Sequence, residues 1–362
     1  MPETRCLAFV TDAFGGRGGI ARYNRDFLEA LAESGTISVI DVLPRHAPDR
    51  VLTPAGITQA PSPHGKLAYI LGAFAAAFRR RRDLVFCGHL HLAPLAAVIA
   101  RLVGAKLLVQ MHGIEAWQPP SRLQRAAVET AHLVLCVSRH TRAAVLGWAR
   151  IAPERVLVLP NTVGECFTPG DGSGLKAALG LEGKRVLLTV GRIDSRERYK
   201  GHDRVIDAMP ALLARGHNVV YVIVGEGDDR GWLEKRARER RVGDRVLLLG
   251  AVGRERLVEI YRMADLFVMP STGEGFGIAF LEAMACGTPT LGLATAGASD
   301  ALADGELGAL TSEEDLAAAI ARLLEAPPPD ASALSALTRA RFGHEPFRTQ
   351  LGAQWDRLLE PS

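Results

Sequence analysis

STGEGFGIAFLEAMACGTPTLG, residues Ser271–Gly292, is the stretch on which the reading of the whole chain turns. It opens on a loop punctuated by Gly273, Gly275 and Gly277, becomes apolar, and closes on Gly287 with Pro289 just beyond. Glycine is favoured immediately past a helix end and proline cannot continue a helix, so the spacing predicts a short helix over about Gly277–Cys286. The loop glycines let backbone approach a ligand closely. The first N–H groups of the helix have no internal partners and carry the positive end of the dipole, which suits a phosphate. Two carboxylates lie here, Glu274 in the loop and Glu282 in the helix. Helical side chains lean toward the N-terminus, so Glu282, one turn after Ile278, reaches back toward that anion site. A carboxylate in a nearly all-apolar helix is costly unless it is hydrogen-bonded, and a ribose diol would satisfy it. The residues alone also fit a plainer arrangement, with Glu282 on a solvated face and the glycines making turns.

The Glu-x7-Glu spacing of Glu274 and Glu282 inside EGFGIAFLEAMACGTP resembles the signature of the retaining GT-B glycosyltransferases of family four. The resemblance implies an α/β protein of two Rossmann-like domains facing across a cleft, with a final helix crossing back to the first domain. On that pattern residues 1–165 form an acceptor-binding domain, 166–345 a nucleotide-sugar-binding domain, and 346–362 the returning helix.

At 362 residues the chain is comfortable for two domains, each able to bury a core. Its 48% hydrophobic and 23% charged residues are ordinary for a soluble globular protein. The five cysteines are odd in number and scattered without a C-x-x-C, which argues for reduced thiols in the cytoplasm rather than a disulfide frame or zinc site. No signal peptide is visible, and the longest apolar run, Leu67–Phe78, is too short to span a bilayer. The net charge of +3 hides an asymmetry: residues 1–160 hold 19 Lys and Arg against 11 Asp and Glu, and residues 161–362 hold 24 against 29. A basic first half points to an anionic partner, a membrane surface or a phosphate-bearing acceptor. Nucleic acid is disfavoured, because no recognisable module is present and the basic residues are not interleaved with aromatics.

Cys6–Val10 reads as a buried parallel strand, and Ile37–Val42 as the next. Between them Gly16-x-Gly18-x-x-Ala21 fits the dinucleotide fingerprint, with Asp41 near the place of a ribose-binding acid. A dehydrogenase is therefore the rival reading. Against it, Thr11–Gly15 separates the strand from the first fingerprint glycine, where the fingerprint needs a tight turn. The glycine loop is also similar to the family's N-terminal loop, which implies that Gly18 and Gly19 face the donor. Leu67–Phe78 followed by Arg79, Arg80, Arg81 and Arg82 reads either as a core helix with a solvated basic end or as a patch for anionic lipid. Asp83–Cys87, Lys106–Met111, Val134–Ser138 and Val156–Pro160 read as strands and Pro94–Val103 as a helix, the alternation of an open parallel sheet. His112 leaves the strand Lys106–Met111 at the end where such sheets build sites. Its His-Gly pair resembles the family's, which places it near the donor sugar.

In the second half, Glu165–Gly183 reads as a linker. The strand Arg185–Val190 leads into Gly191-Arg192 and a polar loop ending in Lys200-Gly201-His202. Two cations at a strand exit can neutralise a diphosphate, or be solvated loop charges. Their similarity to the family's Gly-Arg with a downstream Lys-Gly implies pyrophosphate binding. Val219–Val224, Val246–Gly250 and Leu266–Met269 read as strands, Trp232–Arg241 and Leu257–Met263 as helices, and the chain after Gly305 as helical. Gly225-Glu226-Gly227 resembles the loop near the nucleotide, and Ala251-Val252-Gly253 the segment lining the base. Gly253 carries no acid to favour guanine, so UDP and GDP donors both stay open.

The resemblance thus implies a donor site of Gly18, Gly19, Arg192, Lys200, Glu226, Val252, Glu274, Phe276, Gly277, Ile278 and Glu282. Glu274 would contact sugar hydroxyls and Glu282 the ribose. The expected catalytic set is Glu274, His112, Arg192 and Lys200, acting by charge stabilisation of the leaving group. No Asp-x-Asp pair is apparent, so neither a metal nor another cofactor is expected. The expected acceptor is a saccharide or lipid-linked hydroxyl, with a soluble small molecule as the alternative. The expected location is cytoplasmic or peripheral at the inner membrane face.

Overall fold

β1 (Arg5–Val10) is buried at all but its first residue, as a strand must be when helices cover both faces of a parallel sheet. The computed structural model describes residues 4–16, 18–47 and 51–359. These form two compact units, one from residues 1–162 with 344–362, the other from 163–343.

In the first unit β1 is followed by α1 (Gly19–Glu33), β2 (Val39–Pro44), β3 (Ile57–Gln59), α2 (Lys66–Phe78), β4 (Leu84–Cys87) and α3 (Ala93–Val103). Then come β5 (Lys106–Met111), α4 (Ile114–Trp117), α5 (Arg122–Thr130), β6 (Leu133–Cys136), α6 (Arg139–Trp148) and β7 (Val156–Val158). The strands form one parallel sheet in the order β3-β2-β1-β4-β5-β6-β7. Cys6 of β1 aligns with Ile40 on one side and Leu84 on the other. Val85, Val109 and Val134 from the strands close a core with Ala96, Ile99 and Val145 from the helices. The strand expected at Ile37–Val42 lies two residues later, and β3 had no counterpart in the sequence reading.

α2 exchanges the expected faces. Its buried residues are Tyr69, Ala73 and Ala77, while Leu67, Leu71 and Phe78 are 70%, 61% and 64% exposed. The four arginines that follow do not act alike. Arg82 turns inward, 1% exposed, and pairs with Asp41 at 2.5 Å. A lipid-facing role for Arg82 is therefore corrected: only Arg79, Arg80 and Arg81 are exposed.

The second unit runs α7 (Ser173–Ala178), β8 (Arg185–Val190), α8 (His202–Ala214), β9 (Val219–Val224), α9 (Arg230–Glu239), β10 (Val246–Leu248), α10 (Arg254–Met263) and β11 (Leu266–Met269). It continues with α11 (Ile278–Ala285), β12 (Thr290–Leu293), α12 (Ala296–Ala301), β13 (Ala309–Thr311), α13 (Leu316–Glu325) and α14 (Ala331–Phe342). Its parallel sheet has the order β10-β9-β8-β11-β12-β13. Leu187, Tyr221, Val268 and Leu291 pack there with Val205, Leu212 and Ile320. The stretch read as a linker carries α7, which packs on α10. Ala309–Thr311, within a stretch expected to be helical, is instead the edge strand beside β12, because its backbone completes the sheet. α11 begins and ends within a residue of its expected bounds, with Gly287 in the left-handed region at φ 83°.

α15 (His344–Leu359) returns to the first unit and packs on α1, with Arg348 3.1 Å from Glu33 and Phe347 edge-on to Tyr23. Among the described residues no helix is long and apolar enough to cross a membrane.

Candidate functional site

In the second sheet the chain leaves β8 toward β9 and β10 on one side and later enters β11 toward β12 and β13 on the other. The boundary between β8 and β11 is the topological switch point, and ligands of open α/β sheets bind beyond the strand ends there. Two loops leave those ends, Gly191–Lys200 after β8 and Pro270–Gly277 after β11.

The two loops are tied together. Thr272 N donates to Tyr199 O at 2.9 Å, and Gly273 lies against the Tyr199 ring, where an added Cβ would come within 3.1 Å. Lys200 runs its stem over Gly191 and places Nζ 3.3 Å from Glu274 Oε2. Both side chains are largely buried, 14% and 17% exposed. Glu274 is fixed from behind by Gly297 N, which donates to its carbonyl at 2.9 Å. Arg192 is exposed and paired with Glu197. Thus Arg192, Lys200 and Glu274 are brought to one edge of this unit, with the start of α11 following directly. Gly277 caps α11 at φ 95°, and a Cβ there would press to 2.6 Å on Phe280, so only glycine fits. No side chain caps this end and no acid occupies its first turn, which leaves the helix terminus suited to an anion.

Glu282 is 7% exposed. Tyr261 of α10 donates its hydroxyl to Glu282 Oε2 at 2.8 Å. Tyr261 is itself fully buried among Phe167 and Phe267, and Thr288 Oγ1 donates to its carbonyl at 2.7 Å. The solvated-face arrangement for Glu282 is thereby excluded. Tyr261 was missed in the sequence because it lies on a separate helix and no local spacing joins it to Glu282.

Phe276 is 2% exposed and stacks edge-on against Phe342 at 5.6 Å, so any ligand contact from it falls to its backbone. Glu226 is exposed and Val252 partly so. The loop after β9 lies hard against the loop after β8: Ile193 N donates to Glu226 O at 2.9 Å. Gly225, at φ 147°, would place a Cβ 1.8 Å from Gly191 O, so a side chain there would force these loops apart.

In the first unit, Gly18 and Gly19 are exposed at the start of α1, Gly18 at φ 91°. The loop before them is gripped by side chains. Gln59 bonds both Phe14 N and Phe14 O, at 3.1 and 2.9 Å, and Arg25 donates to Ala13 O and Gly16 O. The loop spans eight residues between β1 and α1, unlike the tight turn of a dinucleotide fingerprint. Asp41, the residue assigned to a ribose in the dehydrogenase reading, is held by Arg82.

His112 follows β5. Its Nε2 lies 2.8 Å from Gly88 O, so Nε2 carries the proton and Nδ1 is left as an acceptor. Its backbone N–H donates to Glu115 Oε1 at 2.5 Å, and Tyr23 meets the ring edge-on at 5.2 Å. Burial lowers its pKa, against the opposing pull of Glu115 and the Gly88 carbonyl. His89, 8% exposed, sits 6.1 Å from His112 and is pushed down to about 4, mainly by burial. Sequence reasoning missed His89, though its place beyond β4 is equivalent to that of His112 beyond β5. Among the described residues no group of three or more His, Cys, Asp or Glu stands together as a metal site.

Two parallel α/β units with these loops at their strand ends have the GT-B fold. The sequence profile described as "Glycosyl transferase 4-like domain" matches residues 18–162, and that of "Glycosyl transferases group 1" matches residues 175–341. The chain belongs to the family four glycosyltransferases. It is 29% identical to D-inositol 3-phosphate glycosyltransferase 1 of Catenulispora acidiphila, over 95% of this chain and 90% of the relative. It is also 29% identical to alpha-D-kanosaminyltransferase of Streptomyces kanamyceticus, over 69% of this chain and 70% of the relative. With the D-inositol 3-phosphate glycosyltransferase of Actinosynnema mirum the identity is 35%, over 58% of this chain and half of the relative. The fold superposes on Anabaena HepE, solved with UDP-glucose, at a TM-score of 0.79 with 20% identity, covering 97% of this chain and 99% of that one. It superposes equally, at 0.79 with 24% identity, on sucrose-phosphate synthase from Thermosynechococcus elongatus, covering 99% of this chain and 100% of that one.

Proposed function

We propose that this glycosyltransferase moves a sugar from a nucleoside-diphosphate donor, UDP- or GDP-linked, to an acceptor hydroxyl with retention at the anomeric carbon. The observation that carries this reading is the meeting of Lys200 and Glu274 at the switch point of the second sheet, immediately before the uncapped start of α11. Lys200, Arg192 and the N–H groups at Gly277 and Ile278 receive the diphosphate. Glu274 takes sugar hydroxyls, Glu282 the ribose, and the backbone around Glu226 and Val252 the base. As the bond from the anomeric carbon to the diphosphate breaks, charge grows on the leaving oxygen and the cations stabilise it. The acceptor oxygen bonds to the same face, and its proton passes to the departing phosphate. In this mechanism the side-chain cations neutralise the leaving group and turnover needs no metal.

The binding of UDP-glucose by HepE supports a nucleotide-sugar donor. The acceptor is a saccharide or lipid-linked precursor, and the enzyme works at the cytoplasmic face of a membrane; the basic first half supports both statements. A soluble cyclitol phosphate or aminosugar is the second reading, favoured by the names of the inositol-phosphate and kanosaminyl relatives. Incubation with a panel of UDP- and GDP-sugars, with and without candidate acceptors, tests the reading through acceptor-dependent nucleotide release. Release from no member of the panel would overturn the donor assignment. Turnover that is lost in EDTA and restored by Mg²⁺ would overturn the metal-free mechanism.

A further inference from the structure

Among the described residues the outward face of α2 has no partner within its unit. A surface helix ordinarily buries its large apolar residues and exposes polar ones. α2 does the reverse, turning Tyr69, Ala73 and Ala77 inward, with the Tyr69 hydroxyl donating to Leu43 O at 3.0 Å. Leu67, Leu71 and Phe78, at helical spacing, form an exposed stripe, with Ile70 beside it and Phe74 half-buried on the same side. Single exposed apolar residues need no explanation, whereas a continuous stripe marks an interaction surface. α3 packs beside α2 and leaves Val98 and Leu102 exposed as well.

The charges around the stripe select the partner. Residues 51–82 contain no carboxylate, while Lys66 opens the helix and Arg79, Arg80 and Arg81 close it, all four exposed, with Arg81 also 3.0 Å from Asp83 Oδ1 just beyond. A self-paired α2 would bring Lys66, Arg79 and Arg80 of one copy against the same cations of the other, with Asp83 already taken by Arg81, which opposes a symmetric dimer through this face. An apolar stripe bordered by arginines fits an anionic bilayer, with acyl chains beneath and phosphates at the rim. The helix has 13 residues, too few to cross the hydrocarbon, so it lies in the plane of the interface.

We propose that α2 docks this enzyme on anionic membranes by insertion, with Leu67, Leu71 and Phe78 entering the acyl boundary and Arg79, Arg80 and Arg81 engaging lipid phosphates. This deepens the membrane residence proposed above by naming its surface and by making attachment partly apolar rather than purely electrostatic.

The test is sedimentation of the full-length protein with vesicles of phosphatidylcholine alone or mixed with phosphatidylglycerol, at low and high salt. Binding is expected only with phosphatidylglycerol present, weakened but not abolished by salt. Arg79→Ala, Arg80→Ala and Arg81→Ala should each weaken partitioning at low salt about fivefold. The triple variant Leu67→Ser/Leu71→Ser/Phe78→Ser should weaken it on the order of a hundredfold and remove the salt-resistant fraction. These side chains are exposed, so the variants should unfold at the wild-type temperature. Binding that is abolished by salt and untouched by the triple variant overturns insertion while leaving electrostatic attachment intact. Absence of binding to either vesicle overturns both, and leaves nucleotide release in the donor panel as a separate result. A lipid-free dimer that the triple variant dissociates overturns the bilayer in favour of a second copy.

Discussion

Lys200 Nζ lies 3.3 Å from Glu274 Oε2 across 74 residues of sequence, each side chain mostly withdrawn from water. The ammonium compensates the carboxylate in the unliganded unit, and each is oriented by the other. In the proposed function a donor that brings its own diphosphate and hydroxyls takes over both partners, and the pair is the resting contact it replaces.

Glu274→Ala should abolish transfer while leaving the fold and nucleotide binding largely intact, because the loop is held by backbone bonds at Thr272 and Gly297. Lys200→Ala should lower kcat about 10²–10³-fold, the range for removing one group that stabilises developing charge. It should also cost ~1–3 kcal/mol of stability by leaving Glu274 without its cation. Calorimetry with UDP and GDP, alongside nucleotide release, reads both effects. Near-normal transfer by Glu274→Ala would remove that residue from the chemistry.

Tyr261→Phe should lower the unfolding free energy by about 1–3 kcal/mol, since it strips a hydroxyl donor from a buried carboxylate. The ring itself is retained, so its packing against Phe167 and Phe267 survives. Nucleotide affinity should fall in the same variant if Glu282 holds the ribose. Urea unfolding read by fluorescence checks the first effect, and a midpoint equal to wild type would show that the Tyr261 bond contributes nothing.

Acid should destabilise the protein through its buried histidines. His202, 5% exposed at the start of α8, is pushed down to about 4 by burial and then by Lys200, with Asp229 opposing. His89 reaches about 4 by burial, with Glu115 opposing and His112 and His91 adding to the lowering. An unfolded histidine titrates near ~6.5. Between these values the unfolded chain binds protons that the folded chain does not, so stability is full above about 6.5 and falls as pH drops toward about 4. His202→Gln should flatten this dependence in urea titrations across the window. An undiminished slope in that variant, with His89 intact, would assign the acid sensitivity elsewhere.

Of the five cysteines only Cys166 is exposed. Burial pushes Cys6, Cys87 and Cys286 up to about 12 and raises Cys136 as well. A thiol reagent at neutral pH should therefore modify one cysteine in the native protein and all five after denaturation. Rapid native modification of more than one would contradict the burial of the strands that carry Cys6, Cys87 and Cys136.

The parts of the fold that were legible in the sequence are those whose cause is local. Gly287 and Pro289 marked the end of α11, and the apolar runs at Val186–Leu188 and Val219–Val224 marked central strands, because each signal acts within a few residues. Glu282 announced the cost of its burial but not its partner, since the Tyr261 hydroxyl arrives from α10. β13 was read as helix because Ala309–Thr311 has no strand composition of its own and owes its conformation to the edge of β12. The outward face of α2 was invisible because leucine, phenylalanine and alanine are all apolar in a binary pattern. Only packing shows that the small residues face the sheet.

The run Arg79–Arg82 condenses that lesson into one comparison. Four identical residues in sequence give no sign that one differs, yet Arg82 is 1% exposed and bound to Asp41, and donates a second bond to Ala76 O at 2.8 Å. Its guanidinium thus joins β2 to the end of α2. Arg82→Ala leaves Asp41 without its cation and the Ala76 carbonyl without that donor, which should cost about 2–4 kcal/mol, less than a wholly buried pair because Asp41 is 29% exposed. Arg80→Ala removes a solvated side chain and should stay within about 0.5 kcal/mol of wild type. Thermal unfolding of the two variants side by side reads the difference. Equal stabilities would mean that the Arg82–Asp41 pair does not hold in solution and that the end of α2 is anchored by the burial of Tyr69, Ala73 and Ala77 alone.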